Sequence, residues 1–351
     1  MDREVLEKRG AVRGWRRLSS AGAGECTRAH CNLGRDGFYK GPVADAIVAE
    51  MERGGGLITH DDLQSYEPVW RNPVHGTYRG YDVWGMGPPS SGGVLIVQML
   101  NMLESLDIDA MGYGSAAAAH AIVEACRRAY ADRATHLGDS DFYDVPLARL
   151  VSKTYAKQRF ADFDPMRVSK SAKVEAGEIP PESRDTTHFS VMDGNGMMVA
   201  LTTTLNSTYG NKVVVPGTGM LMNNEMNDFS IKMGLPNQFG LVGGNANAIA
   251  PGKRMLSSMS PTLVTRDGEP VLVTGVPGGS TIITTVLQVI INIIDHGMSI
   301  EDAVSLPRFH HQWQPDVITA EPYAFSPDTQ RVLEAMGHDA FRKTRIGRGI
   351  G

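Results

Sequence analysis

"RDTTHFSVMDGNGMMVALTTTLNSTYG", residues Arg184 to Gly210, is the stretch on which the fold turns. "TTHFSVMD" and "MMVALTTT" flank a "GNG" turn, and together they read as a β-hairpin. Two adjacent threonines, Thr186 and Thr187, stand where the loop becomes strand. Threonine suits a strand because it is β-branched. It is also a hydroxyl nucleophile when a base sits beside it. Spacing alone does not choose between these readings, nor between the two threonines.

The residues just upstream sharpen the question. Residues 141–185 are charged and mixed and end in "GEIPPESRD", the pattern of an exposed, mobile segment. A break between Asp185 and Thr186 would give Thr186 a free α-amine. With a reference pKa of about 8, that amine can act as general base for the residue's own hydroxyl.

Downstream, "PTLVTRDGEPVLVTGV" predicts a second hairpin turning at Asp267-Gly268. "PGGSTIITTVLQVIINIID" leaves a strand through a glycine turn into a long apolar helix. On the upstream side, "GPVADAIVAEMERGGG", "PPSSGGVLIVQMLNMLES" and "GSAAAAHAIVEACRRAYADRATHLGD" carry helical spacing, the last starting near Ser115. "HGTYRGYDVWGM" alternates like a strand pair around Gly80. Residues 37–138 are thus expected to be mostly helical, and residues 1–36 show no clear period. Helices before Thr186 and sheet with covering helices after it imply layered α+β packing.

Composition excludes more than it selects. With 42% hydrophobic and 21% charged residues, the chain is an ordinary globular one. A net charge of −5 without a basic patch argues against nucleic acid as a partner. "CTRAHC" (Cys26, His30, Cys31) has no second ligand pair, so no metal site is expected. The apolar run "TIITTVLQVIINII" is interrupted by Gln288 and Asn292, too short and too polar for a membrane span. No signal peptide is visible near the start.

Several longer motifs carry a resemblance. "TTHFSVMD", "TTTLNSTYG", "LMNNEMNDFS", "LVGGNANAIAPGKRMLSSMSPTLV", "GVPGGSTIITTVLQ" and "LPRFHHQW" resemble the γ-glutamyltransferase (glutathione hydrolase) family of N-terminal-nucleophile hydrolases, in that family's order. "GFYKGPVADAI", "GGLITHDDL" and "PPSSGG" are similar to the end of its large subunit. The resemblance runs from about Gly37 to Gly337. It implies an αββα four-layer sandwich, matured by self-cleavage into large and small subunits.

The resemblance also implies roles. Thr186 matches the nucleophile and Thr204 the threonine that orients it. Asn206, two residues on and so expected on the same strand face, matches a substrate-amine contact. Glu225 and Asp228 match the acidic pair around a glutamyl α-ammonium, which charge-assisted hydrogen bonds suit. Ser257 and Ser258 match donors to the α-carboxylate. Gly278 and Gly279 match the oxyanion hole, where two N–H groups stabilise a tetrahedral oxyanion. "MGLPNQFGLVGG" matches a lid loop, with Phe239 where many bacterial members have tyrosine. No cofactor and no metal are implied, and no histidine is assigned a role.

The implied partners are glutathione or other γ-glutamyl compounds and amino-acid or peptide acceptors. The large and small segments of the chain would also stay together after cleavage. The implied place is periplasmic or extracellular. The domain reading is 1–36 unmatched (frameshifted or disordered), 37–185 the end of the large subunit, and 186–351 the small subunit. Residues 1–36 do not resemble the family's long leading region, which carries an arginine that clamps the donor carboxylate, and the closing strands are missing. The expectation is therefore a sandwich incomplete at both ends. Two alternatives follow: a related glutaryl-type acylase, and a non-catalytic fragment lacking the clamp arginine.

Overall fold

The computed structural model describes residues 20–171, 186–338, 340–344 and 346. They group into two compact units, one of residues up to Trp70 with Tyr209–Asn223, the other of Arg71–Thr208 with the residues from Asn224 on. Neither boundary falls at Thr186.

The first unit is helical. Helix α1 spans Ser20–Leu33 and α2 spans Gly41–Gly54. Pro42 starts α2, and Gly55 ends it in the left-handed conformation at φ 70°. Val43, Ala44, Ile47 and Val48 fall on one face of α2 and bury against Leu63 and Val215. Thr59 and Asp62 close a reciprocal capping box on the short helix His60–Ser65. Helix α1 departs from the aperiodic reading of residues 1–36. Its alternation of Ala and Gly with Cys, Thr and His gives little contrast between faces.

The second unit holds the sheet. Strands β1 (Val74–Tyr78) and β2 (Tyr81–Gly85) pair around Arg79-Gly80, both at positive φ, as a tight hairpin turn requires. Helix α3 (Gly92–Leu103) is buried along its whole length, and α4 (Ala116–His136) starts at a Ser115 cap. The hairpin of β3 (Thr186–Met192) and β4 (Met198–Thr204) follows. Next come β5 (Thr262–Arg266) and β6 (Glu269–Thr274), turning at Asp267-Gly268, and helix α5 (Thr281–Ile294). The predicted helices and all three hairpins are thus found.

The main sheet is antiparallel in the order β1-β2-β5-β6. Val83, Val264 and Leu272 on its inner face share one core with Leu95 and Leu100 of α3, Ala125 of α4 and Val286 and Ile290 of α5. Gly85 and Gly93 let α3 start hard against β2, since a Cβ on Gly85 would lie 2.7 Å from the Gly93 Cα. The β3–β4 hairpin rests on β5 and β6. The face carrying His188 and Thr202 is polar, with His188 buried against Gly275. Its other face exposes Phe189, Val191, Val199 and Leu201. Among the described residues nothing covers that face. The class is α+β, a helical layer on a sheet with a second β layer begun by the hairpin. No described helix is long and apolar enough to cross a membrane.

Candidate active site

The site forms where the inner end of the β3–β4 hairpin meets the loops around α3, α4 and α5. Ladder register decides which threonine points inward. Thr186 pairs with Thr204, and the Thr186 hydroxyl donates to the Thr204 hydroxyl at 3.2 Å. Both line a cleft. Thr187 pairs with Thr203 on the outer face and is exposed. Alternation is a period of two, so the one-residue difference reverses the side chain's environment. Asp185 and the segment 172–185 lie outside the described residues.

Asn206 does not reach the cleft as a strand residue. β4 ends at Thr204, and Asn206 adopts φ 72°, a left-handed conformation that asparagine tolerates. Its backbone N–H donates to Thr204 Oγ1 at 2.9 Å. Its side-chain amide donates to Asn224 O at 3.1 Å and Asp228 Oδ1 at 3.3 Å. Same-face alternation was therefore the wrong geometric reason, although Asn206 does line the cleft.

Glu225 and Asp228 open and close one 3₁₀ turn, whose i and i+3 side chains stack. Asp228 lines the cleft and Glu225 is not among its walls. Burial pushes the Asp228 carboxyl up to about 7, against the opposing pull of Arg133 and the Asn206 hydrogen bond. Burial, then the Asp228 charge, pushes Glu225 up to about 8. The turn thus holds two acids that ionise near neutrality, in sequence rather than together.

Ser257 and Ser258 are buried at the wall opposite in chemistry, and their loop is stitched to Pro89–Ser91. Ser257 N–H donates to Pro89 O at 2.8 Å, and Ser91 N–H and Oγ donate to Ser257 O at 2.9 and 2.8 Å. The "PPSSGG" motif therefore serves as the splint of the serine loop.

Gly278 and Gly279 precede α5 with φ of 147° and 57°. Gly279 lines the cleft, and a Cβ there would lie 3.0 Å from the Phe239 ring, so a side chain would crowd the ring and strain the backbone. Phe239, in the expected lid loop, forms part of the same wall. Gln312 holds these pieces together. Its Nε2 donates to Phe239 O at 3.0 Å, while its Oε1 accepts from Ser280 Oγ at 2.7 Å. His310 also contacts Gln312 Oε1, at 2.8 Å, and burial pushes its pKa down to about 4, so it is neutral.

Three participants escaped the sequence reading: Gln312, Tyr130, whose hydroxyl donates to Ser280 O at 2.7 Å, and Arg133, which lines the cleft. Tyr130 and Arg133 are three apart on α4, hence on one face. An arginine on the buried side of a helix was the available signal.

An α+β fold that presents a strand-opening threonine in a cleft with the acid Asp228 and two buried serine hydroxyls holds the parts that a hydroxyl-nucleophile enzyme requires. The sequence model of the gamma-glutamyltranspeptidase family matches residues 17–350. That range includes residues 17–36 and 338–350, beyond the motifs that carried the resemblance. A glutathione hydrolase proenzyme of Escherichia coli (strain K12) is 51% identical over 315 residues, 90% of this chain and 54% of that protein. An acylase ACY 1 proenzyme of Pseudomonas sp. (strain SE83) is 40% identical over 317 residues, 90% of this chain and 54% of that protein. The crystal structure of cephalosporin acylase from Bacillus halodurans matches with a TM-score of 0.77 at 27% identity, over 93% of this chain and 57% of that one. The chain belongs to the γ-glutamyltranspeptidase family. It spans about half the length of the curated relatives it matches.

Proposed function

We propose that the chain carries the nucleophile of a γ-glutamyl acyltransferase and glutathione hydrolase. The observation that supports this most is the Thr186–Thr204 hydroxyl pair in a cleft shared with Asp228, Ser257 and Ser258. Maturation starts when Thr186 Oγ attacks the Asp185 carbonyl carbon and the peptide nitrogen leaves, giving an ester. The proton of Oγ goes to the departing nitrogen, so the Thr186 α-amine is free at this stage, and water then hydrolyses the ester to the Asp185 carboxylate and the Thr186 hydroxyl. The segments 1–185 and 186–351 then stay together as large and small subunits.

In turnover the α-amine takes the proton of Thr186 Oγ, which attacks the γ-carbonyl of the donor. Thr204 orients the hydroxyl, and the N–H groups of Gly278 and Gly279 stabilise the oxyanion. The amine leaves with the proton, and the γ-glutamyl ester passes to water or to an amino-acid or peptide amine. Asp228, with Glu225 behind it and Asn206 beside it, takes the donor α-ammonium, while Ser257 and Ser258 take its α-carboxylate. The family resemblance favours the periplasm or the outside of the cell for this activity.

A second reading is an acylase for glutaryl-type groups, which carry no ammonium. It is favoured by acids that hold their protons to about 7 and 8, so that an empty pocket does not demand a cation. Turnover of γ-glutamyl-p-nitroanilide against glutaryl-p-nitroanilide decides. Preference for the first supports the proposal, and equal or reversed preference favours the acylase.

A further inference from the structure

The cleft contains a buried cation that no family motif assigned. Arg133, near the end of α4, is 4% exposed. Its Nε donates to Ser91 Oγ at 3.0 Å, and its Nη2 reaches Leu256 O and Ser258 Oγ, both at 3.4 Å. Among the described residues Nη1 has no hydrogen-bond partner and no carboxylate lies within ion-pair distance of the guanidinium. The same helix treats its other buried arginines differently. Arg127 and Arg128 each pair with Glu124, at 3.2 and 2.6 Å, and each with a second acid, Asp316 and Asp162. A buried guanidinium that lines a cleft without an ion-paired acid is a costly arrangement unless an anion arrives to complete it, and the acid whose charge it feels, Asp228, lines the same cleft.

The hydroxyls nearby are oriented for that anion. Ser258 Oγ accepts from Arg133, so its own proton is left to donate. Ser257 Oγ accepts from Met259 N–H at 3.1 Å, with the same result. Among the described residues neither hydroxyl has an acceptor for its proton. Ser91 accepts from Arg133 and donates to Ser257 O, which ties the guanidinium to the serine loop from behind. Hydrogen bonds in such a chain polarise one another, so charge on Arg133 strengthens donation by Ser258.

We propose that Arg133 is a positioning residue of the donor site: it stands behind Ser258 and Ser91 as the cation of a carboxylate subsite, opposite the ammonium subsite at Asp228. This rests on the γ-glutamyl reading and adds to it a charge within this chain that selects donors bearing an α-carboxylate. The cleft then offers an anion and a cation to the two charges of an amino acid.

The test compares γ-glutamyl-p-nitroanilide with 4-aminobutyryl-p-nitroanilide, which keeps the ammonium and lacks the carboxylate. Self-cleavage on a denaturing gel reports folding. Arg133→Met should raise KM for the γ-glutamyl donor about 10- to 100-fold, the worth of one charge-assisted hydrogen bond, with a much smaller change in kcat. The KM for the 4-aminobutyryl donor should move far less. Arg133→Lys keeps the charge without the fork and should retain part of the preference. Equal losses on both donors, or an intact preference in Arg133→Met, overturn the proposal. If Arg133→Met does not self-cleave, Arg133→Lys with Ser258→Ala decides, since both should lower the preference and neither strips the buried charge. If the parent chain turns over neither donor, the enzymatic reading fails and calorimetry with L-glutamate and 4-aminobutyrate decides for Arg133. Tighter binding of glutamate, lost in Arg133→Met or weakened in Arg133→Lys, upholds the subsite, and no binding of either overturns both.

Discussion

Replacing Asp228 with asparagine separates binding from stability in opposite directions. Asp228 is pushed from an ordinary 3.8 to about 7, chiefly by burial. Between those values the folded chain holds a proton that the unfolded chain has lost, so stability falls as pH rises through the window. At pH 8 the folded chain carries the full cost of a buried carboxylate, up to about 4 kcal/mol from that difference. Asp228→Asn removes the charge and keeps the shape, so the variant should resist urea better than the parent at pH 8. The gap should close as pH drops towards 4. Function should move the other way. An ammonium bound to Asp228 loses a charge-assisted hydrogen bond of roughly 1.5–3 kcal/mol, or about 10- to 100-fold in kcat/KM. Glutaryl-p-nitroanilide, with no ammonium, should lose much less. The assay is kcat/KM for both anilides at pH 8 beside urea melts at pH 4, 6 and 8. A variant equally impaired on both donors would place Asp228 outside the ammonium site, and one less stable than the parent at pH 8 would mean that the Asp228 carboxylate is not a burial cost.

Other outcomes follow from the same geometry. Thr204→Val keeps the branching and deletes the hydroxyl 3.2 Å from Thr186 Oγ, so self-cleavage should slow markedly while Thr204→Ser is milder; equal rates, followed by gel densitometry, would leave Thr204 as a strand residue only. Gly279→Ala places a Cβ 3.0 Å from the Phe239 ring at φ 57° and should depress kcat by an order of magnitude or more, as loss of an oxyanion donor does. Phe239→Ala in that background should relieve the steric part, and a Gly279→Ala enzyme of unchanged kcat would remove this turn from catalysis.

Much of the architecture was legible in the sequence for local reasons. Asp267-Gly268 and Arg79-Gly80 are turn dipeptides with positive φ, and each fixed a hairpin. Ser115 caps α4 where the helical pattern begins. Helix α1 was hidden because its small and polar residues show no period. Of the contiguous motifs, Ser257, Ser258 and Gly279 line the cleft, and Gly278 is not among its walls. Asn206 was located but misread, because strand alternation was carried past the point where the backbone turns left-handed. Arg133 offered only the hint of an arginine on the buried side of a helix, and Gln312 offered none. Arg133 acquires its meaning from Ser91 and Ser258, 42 and 125 residues away, and Gln312 from Phe239, 73 residues away. No local pattern encodes such meetings.

Whether Thr186 is the nucleophile is read at the bond it would break. Purified chain is incubated, separated on a denaturing gel, and the smaller fragment is sequenced from its amino end beside the Thr186→Ala variant. The parent should give two fragments, the smaller beginning Thr186-Thr187-His188, and the variant one unbroken band. A fragment beginning at Thr187, or cleavage that persists in Thr186→Ala, would contradict that role for Thr186.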